Sequence, residues 1–233
     1  MTNDLERREV IALSAAAGAA VLFSASASAQ QAAGAQGPYE IKPLPFAPGS
    51  IPGLSERILA SHHDNNYAGA VRRLNTITQQ LSQTDFATAP NFVVNGLKRE
   101  ELIAMNSMIL HELYFDGLGG GGMPEGILAE AIVRDFGGFA RWQAEFSAMG
   151  KAQGGGSGWV LLSYSPRDGR LTNQWAADHT TTLAGGRPIL ALDMYEHSYH
   201  MDYGANATAY VDAYMNAIRW ENANALYANY SRA

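Results

Sequence analysis

Apolar residues recur at helical steps from about residue 55 to residue 81. Tyr67, Val71, Leu74 and Leu81 fall three, four and seven positions apart, and this spacing predicts an amphipathic helix. A second helix is predicted over about residues 98–114, with Leu102, Met105, Ile109 and Leu113 on one stripe. Two long helices joined by a polar connection predict an antiparallel hairpin. Ahead of them, residues 30–55 are rich in Gly, Pro, Ala and Gln, and the prolines of residues 39–46 forbid a helix there. That stretch is expected to lie extended along the surface. The run Gly119-Gly120-Gly121-Gly122-Met123-Pro124 interrupts the helical pattern and marks the expected boundary between an N-terminal domain, 30–118, and a C-terminal domain, 119–233. Short helices are predicted around 125–134 and 138–149. Trp159-Val160-Leu161-Leu162-Ser163-Tyr164 then reads as a strand, Arg167-Asp168-Gly169 as a turn into a second, and 188–193 as a third, whose apolar run 188–192 reads as buried. A closing helix carries Val211, Tyr214, Met215 and Ile218 on one stripe.

Composition narrows the function. The 233 residues are 47% hydrophobic and 16% charged, enough for a packed core and unlike a disordered chain. The net charge of −6 without a basic run argues against nucleic acid or an anionic membrane surface as partner. There is no cysteine, so disulfides, thiolate metal sites and cysteine nucleophiles are excluded. The glycine run is not a phosphate loop, because no Gly-Lys-Ser/Thr follows it. The first 29 residues read as an export signal. Arg7-Arg8 precede an uncharged, alanine-rich stretch that ends at Ala27-Ser28-Ala29, a small-residue cleavage pattern. The paired arginines point to twin-arginine export, with an ordinary secretory signal as the alternative. Either places the mature chain in the periplasm or outside the cell, without a retained membrane anchor.

The candidate chemistry lies in the histidines and one aspartate. Asp193 and His197 are four residues apart just after the apolar run 188–192, where a carboxylate and an imidazole can converge on one ion. That donor pair suits iron, manganese or zinc. The chain has six histidines, with His62-His63 on the first predicted helix and His111 on the second. A helical hairpin can bring one histidine from each helix to the same depth. Three imidazoles and one carboxylate leave a coordination position open for solvent or substrate. Any one of these histidines taken alone reads more simply as a core or surface residue.

The segment Asp193-Met194-Tyr195-Glu196-His197-Ser198-Tyr199 resembles the second metal-ligand motif of the iron/manganese superoxide dismutases. The resemblance extends over nearly all of the mature chain. It takes in residues 39–46, Ser61-His62-His63, Leu74-Asn75, His111, the glycine run, Asp135-Phe136-Gly137, Gly156-Ser157-Gly158-Trp159 and Ile218-Arg219-Trp220. It implies an α+β fold, an N-terminal antiparallel helical hairpin packed on a C-terminal α/β domain with a three-stranded antiparallel sheet. It also implies one iron or manganese ion per chain held by His62, His111, Asp193 and His197, with superoxide as substrate. His179 matches the position whose side chain hydrogen-bonds metal-bound solvent. Trp159 walls the site, and Tyr195 stands where the family usually has Trp. The resemblance places Asn66, Glu196, Tyr199 and His200 at the channel and dimer face. Glu196 is expected to reach the ligand histidine of the other subunit in a homodimer.

The departures from the family are specific. Asn66 and Ala70 stand where the family has a histidine and a tyrosine that guard the channel and relay protons. His200 replaces the tyrosine that pairs with that histidine across the dimer, so an Asn66–His200 hydrogen bond is expected instead. Ser107 stands where iron enzymes often carry glutamine, which leaves the choice of metal open. The leading expectation is an exported superoxide dismutase. The alternatives are a metal-binding homologue without useful dismutation and a redox enzyme acting on a larger reductant.

Overall fold

One fully buried strand organises the C-terminal half. β1 (Trp159–Ser165) is buried at all seven positions and lies between β2 (Arg170–Ala176) and β3 (Arg187–Asp193), antiparallel to both. A strand covered on both faces reads as a continuous apolar run, and β1 opens on one, Trp159–Leu162, before the buried Ser163 and Ser165. Trp159 pairs with Ala176 on one side and Asp193 on the other, so the sheet brings both side chains to one end. Gly158 enters the strand at φ +124, and a Cβ there would lie 2.2 Å from the Ala176 carbonyl oxygen; only glycine fits. Pro188 is tolerated because β3 is an edge strand.

The computed structural model describes residues 37–232. The expected export signal, 1–29, and the start of the lead-in lie outside the described residues. α1 (Glu56–Ser61) begins at Ser55, whose hydroxyl accepts from the Ile58 amide. It passes through a π-helical segment, His62–Tyr67, into α2 (Ala68–Ser82). α3 (Asn91–Asp116) returns antiparallel, since Tyr67 donates to Glu112 while Arg73 pairs with Glu100. The extended lead-in is strapped across this hairpin. The Tyr39 backbone exchanges two hydrogen bonds with the Asn75 amide, the Lys42 amide donates to the Tyr67 hydroxyl, and the Lys42 side chain pairs with Glu112.

Two helix expectations are corrected. α3 starts at Asn91, well ahead of residue 98, and its buried face is Ala104, Ser107, Met108, Leu110, His111, Tyr114 and Phe115. Leu102 and Ile109, from the expected core stripe, are each 46% exposed. The true inner face mixes the small and polar Ala104, Ser107 and His111 with Met108, Leu110, Tyr114 and Phe115, so a stripe of large apolar residues does not mark it. After the glycine run come α4 (Gly126–Phe136) and α5 (Phe139–Ala152). Beyond the sheet come a 3-10 turn, Glu196–Ser198, and then α6 (His200–Tyr203), α7 (Ala207–Ala217) and α8 (Trp220–Ser231). Val211, Tyr214 and Met215 are buried on α7 as expected, but Ile218 is extended and bridges to Leu118, separating two helices where the pattern showed one. Apolar residues of the hairpin, the sheet and the last helices join in one core cluster, and α3 packs on β3. The fold is therefore α+β, a helical N-terminal region on a C-terminal region with a three-stranded antiparallel sheet. Among the described residues no helix is long and apolar enough to cross a membrane.

Candidate metal centre

Each of the four candidate ligands is aimed by a different local device. His62 opens the π-helical segment, a wider turn that rotates it relative to α2, and such turns concentrate at functional sites. Its ring is fully buried against Tyr114 and Phe115, with ring centroids 5.0 and 5.1 Å away. His111 sits one helical turn after Ser107, and its Nδ1–H donates to the Ser107 carbonyl at 2.6 Å. That bond fixes the tautomer and leaves Nε2 as a bare lone pair, buried and without a hydrogen-bond partner. Asp193 ends β3, and its Oδ1 accepts from the Tyr195 amide at 2.8 Å, so Oδ2 is left facing the histidines. The 3-10 turn then carries His197 back over it. Ser198 pins that turn by donating to the Asp193 and Tyr195 carbonyls.

The side chains converge. Asp193 Oδ2 lies 3.1 Å from His62 Nε2, 3.2 Å from His197 Nε2 and 3.6 Å from His111 Nε2. One ligand atom from each of the four residues falls within 4.8 Å of every other. His62, His111 and Asp193 are buried, while the His197 side chain is 25% exposed. Desolvation, the largest influence, lowers the pKa of His62 and takes that of His111 down to about 3, so both imidazoles are neutral. Burial alone would raise the Asp193 pKa. The charge of His197 and the hydrogen bonds from His197 and His62 outweigh it and hold the carboxyl far below its usual range. A carboxylate amid three imidazoles, enclosed and without thiolate, is a donor set that can hold iron or manganese. The unpartnered Nε2 of His111, aimed at the cluster, is the atom such an ion would satisfy.

A second layer surrounds these groups. Trp159 Nε1–H donates to His179 Nδ1 at 3.0 Å, which places the imidazole hydrogen of neutral His179 on Nε2. Burial lowers the His179 pKa and favours that neutral form. The Tyr195 ring stacks on His179 at 4.8 Å and on His197 at 5.4 Å, each with an interplanar angle of 14°. Burial foremost, then the Asp193 charge, pushes the Tyr195 hydroxyl up to about 12, so it remains a neutral phenol.

The residues expected at the channel and dimer face separate into two groups. Glu196 and His200 are exposed and Asn66 is half-buried, whereas Tyr199 is buried, stacked on Tyr210, with its hydroxyl accepting from the Gly155 amide. Within the chain Tyr199 is a core residue. Two supports escaped the sequence reading. The position of Ser107, four residues before a helical histidine, carried a usable signal for His111's partner. Tyr210, whose hydroxyl donates to the Asp193 carbonyl at 2.8 Å, carried none, because that contact spans the fold.

The family model for the C-terminal domain of iron/manganese superoxide dismutases matches residues 124–226. A superoxide dismutase (Fe) of Cupriavidus metallidurans is 68% identical over 190 residues, covering 82% of this chain and 96% of that protein. A superoxide dismutase (Mn) of Halobacterium salinarum is 35% identical over 187 residues, covering 78% and 92%. A superoxide dismutase (Fe) of Pyrobaculum aerophilum is 30% identical over 190 residues, covering 79% and 89%.

Proposed function

The chain belongs to the iron/manganese superoxide dismutases, and from that premise we propose that it is an exported, homodimeric enzyme that converts superoxide to dioxygen and hydrogen peroxide. The observation that carries the reading is the convergence of His62, His111, Asp193 and His197 within 4.8 Å. Iron or manganese held there supplies alternating one-electron transfer, so that one superoxide is oxidised to dioxygen and a second takes that electron and two protons to become hydrogen peroxide. Iron is the metal to load first, since the 68% identical relative is named for it.

The protein's own groups hold and position. Ser107 keeps His111 in one tautomer, and the Tyr195 amide keeps Asp193 turned toward the histidines. His179, locked by Trp159, offers an Nε2–H donor to solvent or substrate beside the cluster. Trp159 and Tyr195 wall the site with aromatic surface and limit water. The exposed edge of His197 and the exposed carboxylate of Glu196 fit a dimer in which each Glu196 accepts from the partner's ligand histidine. Export rests on Arg7-Arg8, the alanine-rich stretch and the Ala27-Ser28-Ala29 cleavage pattern.

The deciding experiment is superoxide turnover by the mature protein reconstituted separately with iron and with manganese, beside Asp193→Asn. Metal-dependent turnover that is lost in the variant supports dismutation. A second reading, a metal-binding homologue without useful turnover, is favoured by Ala70, where the family resemblance places a tyrosine. Stoichiometric metal without turnover selects it.

A further inference from the structure

A cavity of about 280 Å³ opens beside the candidate centre, between α2 and α3, and ends at His179. Its size is out of proportion to a diatomic substrate. An engineered cavity of ~150 Å³ accepts benzene, and small-molecule pockets begin near ~300 Å³. Ala70, Gly69 and Ala104 contribute walls that stop at or before a methyl group, and this leaves room for a flat ring between the helices. Its polar groups are the amides of Asn65 and Asn66, the hydroxyl of Ser107, the imidazole of His179 and the guanidinium of Arg73. One lining residue is a cation and none is a carboxylate. Arg73 pairs with Glu100, which stands outside the lining, and that bond engages only part of a five-donor fork.

Small alkyl walls, together with donors, a cation whose carboxylate partner stands outside the pocket and no carboxylate in the lining, define a ligand class. We propose that this cavity binds a small aromatic monoanion of the benzoate class, its ring on the walls at Ala70 and Ala104 and its carboxylate among the donors. Occupancy blocks the approach past His179, so such a ligand also slows turnover where the dismutase reading holds. The binding itself requires neither metal nor turnover.

The test is a calorimetric titration of benzoate into the mature protein, metal-free and metal-loaded. Acetate serves as charge without ring, and benzyl alcohol as ring without charge. The expected result is benzoate binding at about 1 mM or tighter, with both controls at least about tenfold weaker. Gly69→Leu fills the space: a Cβ at Gly69 meets nothing within 4 Å, and leucine is a good helix former, so the fold is kept. This variant should weaken benzoate about tenfold or more at an unfolding midpoint no lower than that of the wild-type protein, and Arg73→Gln should weaken it with no effect on benzyl alcohol. No benzoate binding, or equal binding by the wild-type protein and Gly69→Leu, overturns the proposal. Benzoate binding without superoxide turnover would remove the dismutation reading alone; turnover without benzoate binding would remove the cavity proposal alone.

Discussion

Trp159 acts on the site through a single hydrogen atom. Its indole N–H ends on His179 Nδ1, and no other contact fixes which nitrogen of that imidazole faces onward as a donor. Trp159→Phe keeps most of the apolar wall and removes that N–H, so His179 can take the other tautomer. The expected outcome is a loss of turnover of about 10- to 100-fold, the usual cost of disturbing a group behind the metal ligands. Metal content should stay at wild-type level, because Trp159 hydrogen-bonds to none of the proposed ligands and phenylalanine can keep the edge-on contact with the His111 ring. Elemental analysis beside steady-state rates separates the two; an unchanged rate would mean that turnover does not depend on the His179 tautomer that Trp159 sets. Asp193→Asn acts differently. It replaces the sole carboxylate among three imidazoles with a neutral amide, and metal should be lost from the purified protein.

At the scale of the element, the π-helical segment decides where His62 points. One residue in a regular helix corresponds to about 100° of rotation. Deleting Asn65 from the wide turn would convert it to a regular one and rotate α1 against α2 by that angle. Either Ile58, Leu59 and His62 or Val71 and Leu74 must then leave the core. The expected outcome is loss of both metal and thermal stability, whereas Asn65→Ala, which forfeits only the exposed hydrogen bonds of its amide to the Ser61 carbonyl and hydroxyl, worth about 1 kcal/mol, retains metal. A deletion variant with full metal content would show that the wide turn is incidental. This element also marks the limit of what the sequence discloses. The hairpin was legible from apolar spacing and β1 from the run Trp159–Leu162, and the four converging residues from the family resemblance carried by the motif at 193–199, since the histidine pair on the first helix did not by itself separate His62 from His63. The wide turn was not, since His62-His63-Asp64-Asn65-Asn66-Tyr67 contains nothing foreign to an ordinary helix. The inner face of α3 was misjudged for a related reason. Periodicity follows large apolar side chains, and this helix buries Ala104, Ser107 and His111 while leaving Leu102 and Ile109 half outside.

The whole molecule shows the cost of enclosing these groups in its response to acid. In the metal-free protein His62, His111 and His179 all titrate below the ordinary histidine value, first because burial disfavours their charged forms. The unfolded chain therefore binds more protons than the folded one once the pH drops below about 6.5. Stability falls with pH through that window, until His111 itself protonates at about 3. Each fully buried imidazole contributes a slope of up to about 1.4 kcal/mol per pH unit. Asp193 adds to the loss at the lower end, because its depressed pKa stabilises the fold above about pH 3.9 and fails as the carboxyl protonates. Urea unfolding of metal-free protein should show a clearly lower midpoint at about pH 5 than at about pH 7, and a bound metal should flatten the difference, since it binds the unprotonated ligands. A pH-independent midpoint would mean that the histidine cluster opens to solvent without its ion. The proposed dimer would answer to the same cluster, because His197 is the one candidate ligand left with a solvent-facing edge. If a second subunit covers that edge with Glu196, then Glu196→Ala removes a charged acceptor from a desolvated contact. Sedimentation should register a dimer weakened by about 2 kcal/mol or more, roughly 30-fold in dissociation constant. Metal affinity should fall with it, since His197 loses the group that orients its second nitrogen. A variant that dimerises as tightly as the wild-type protein would assign Glu196 to solvent and leave His197 oriented by its stacking on Tyr195.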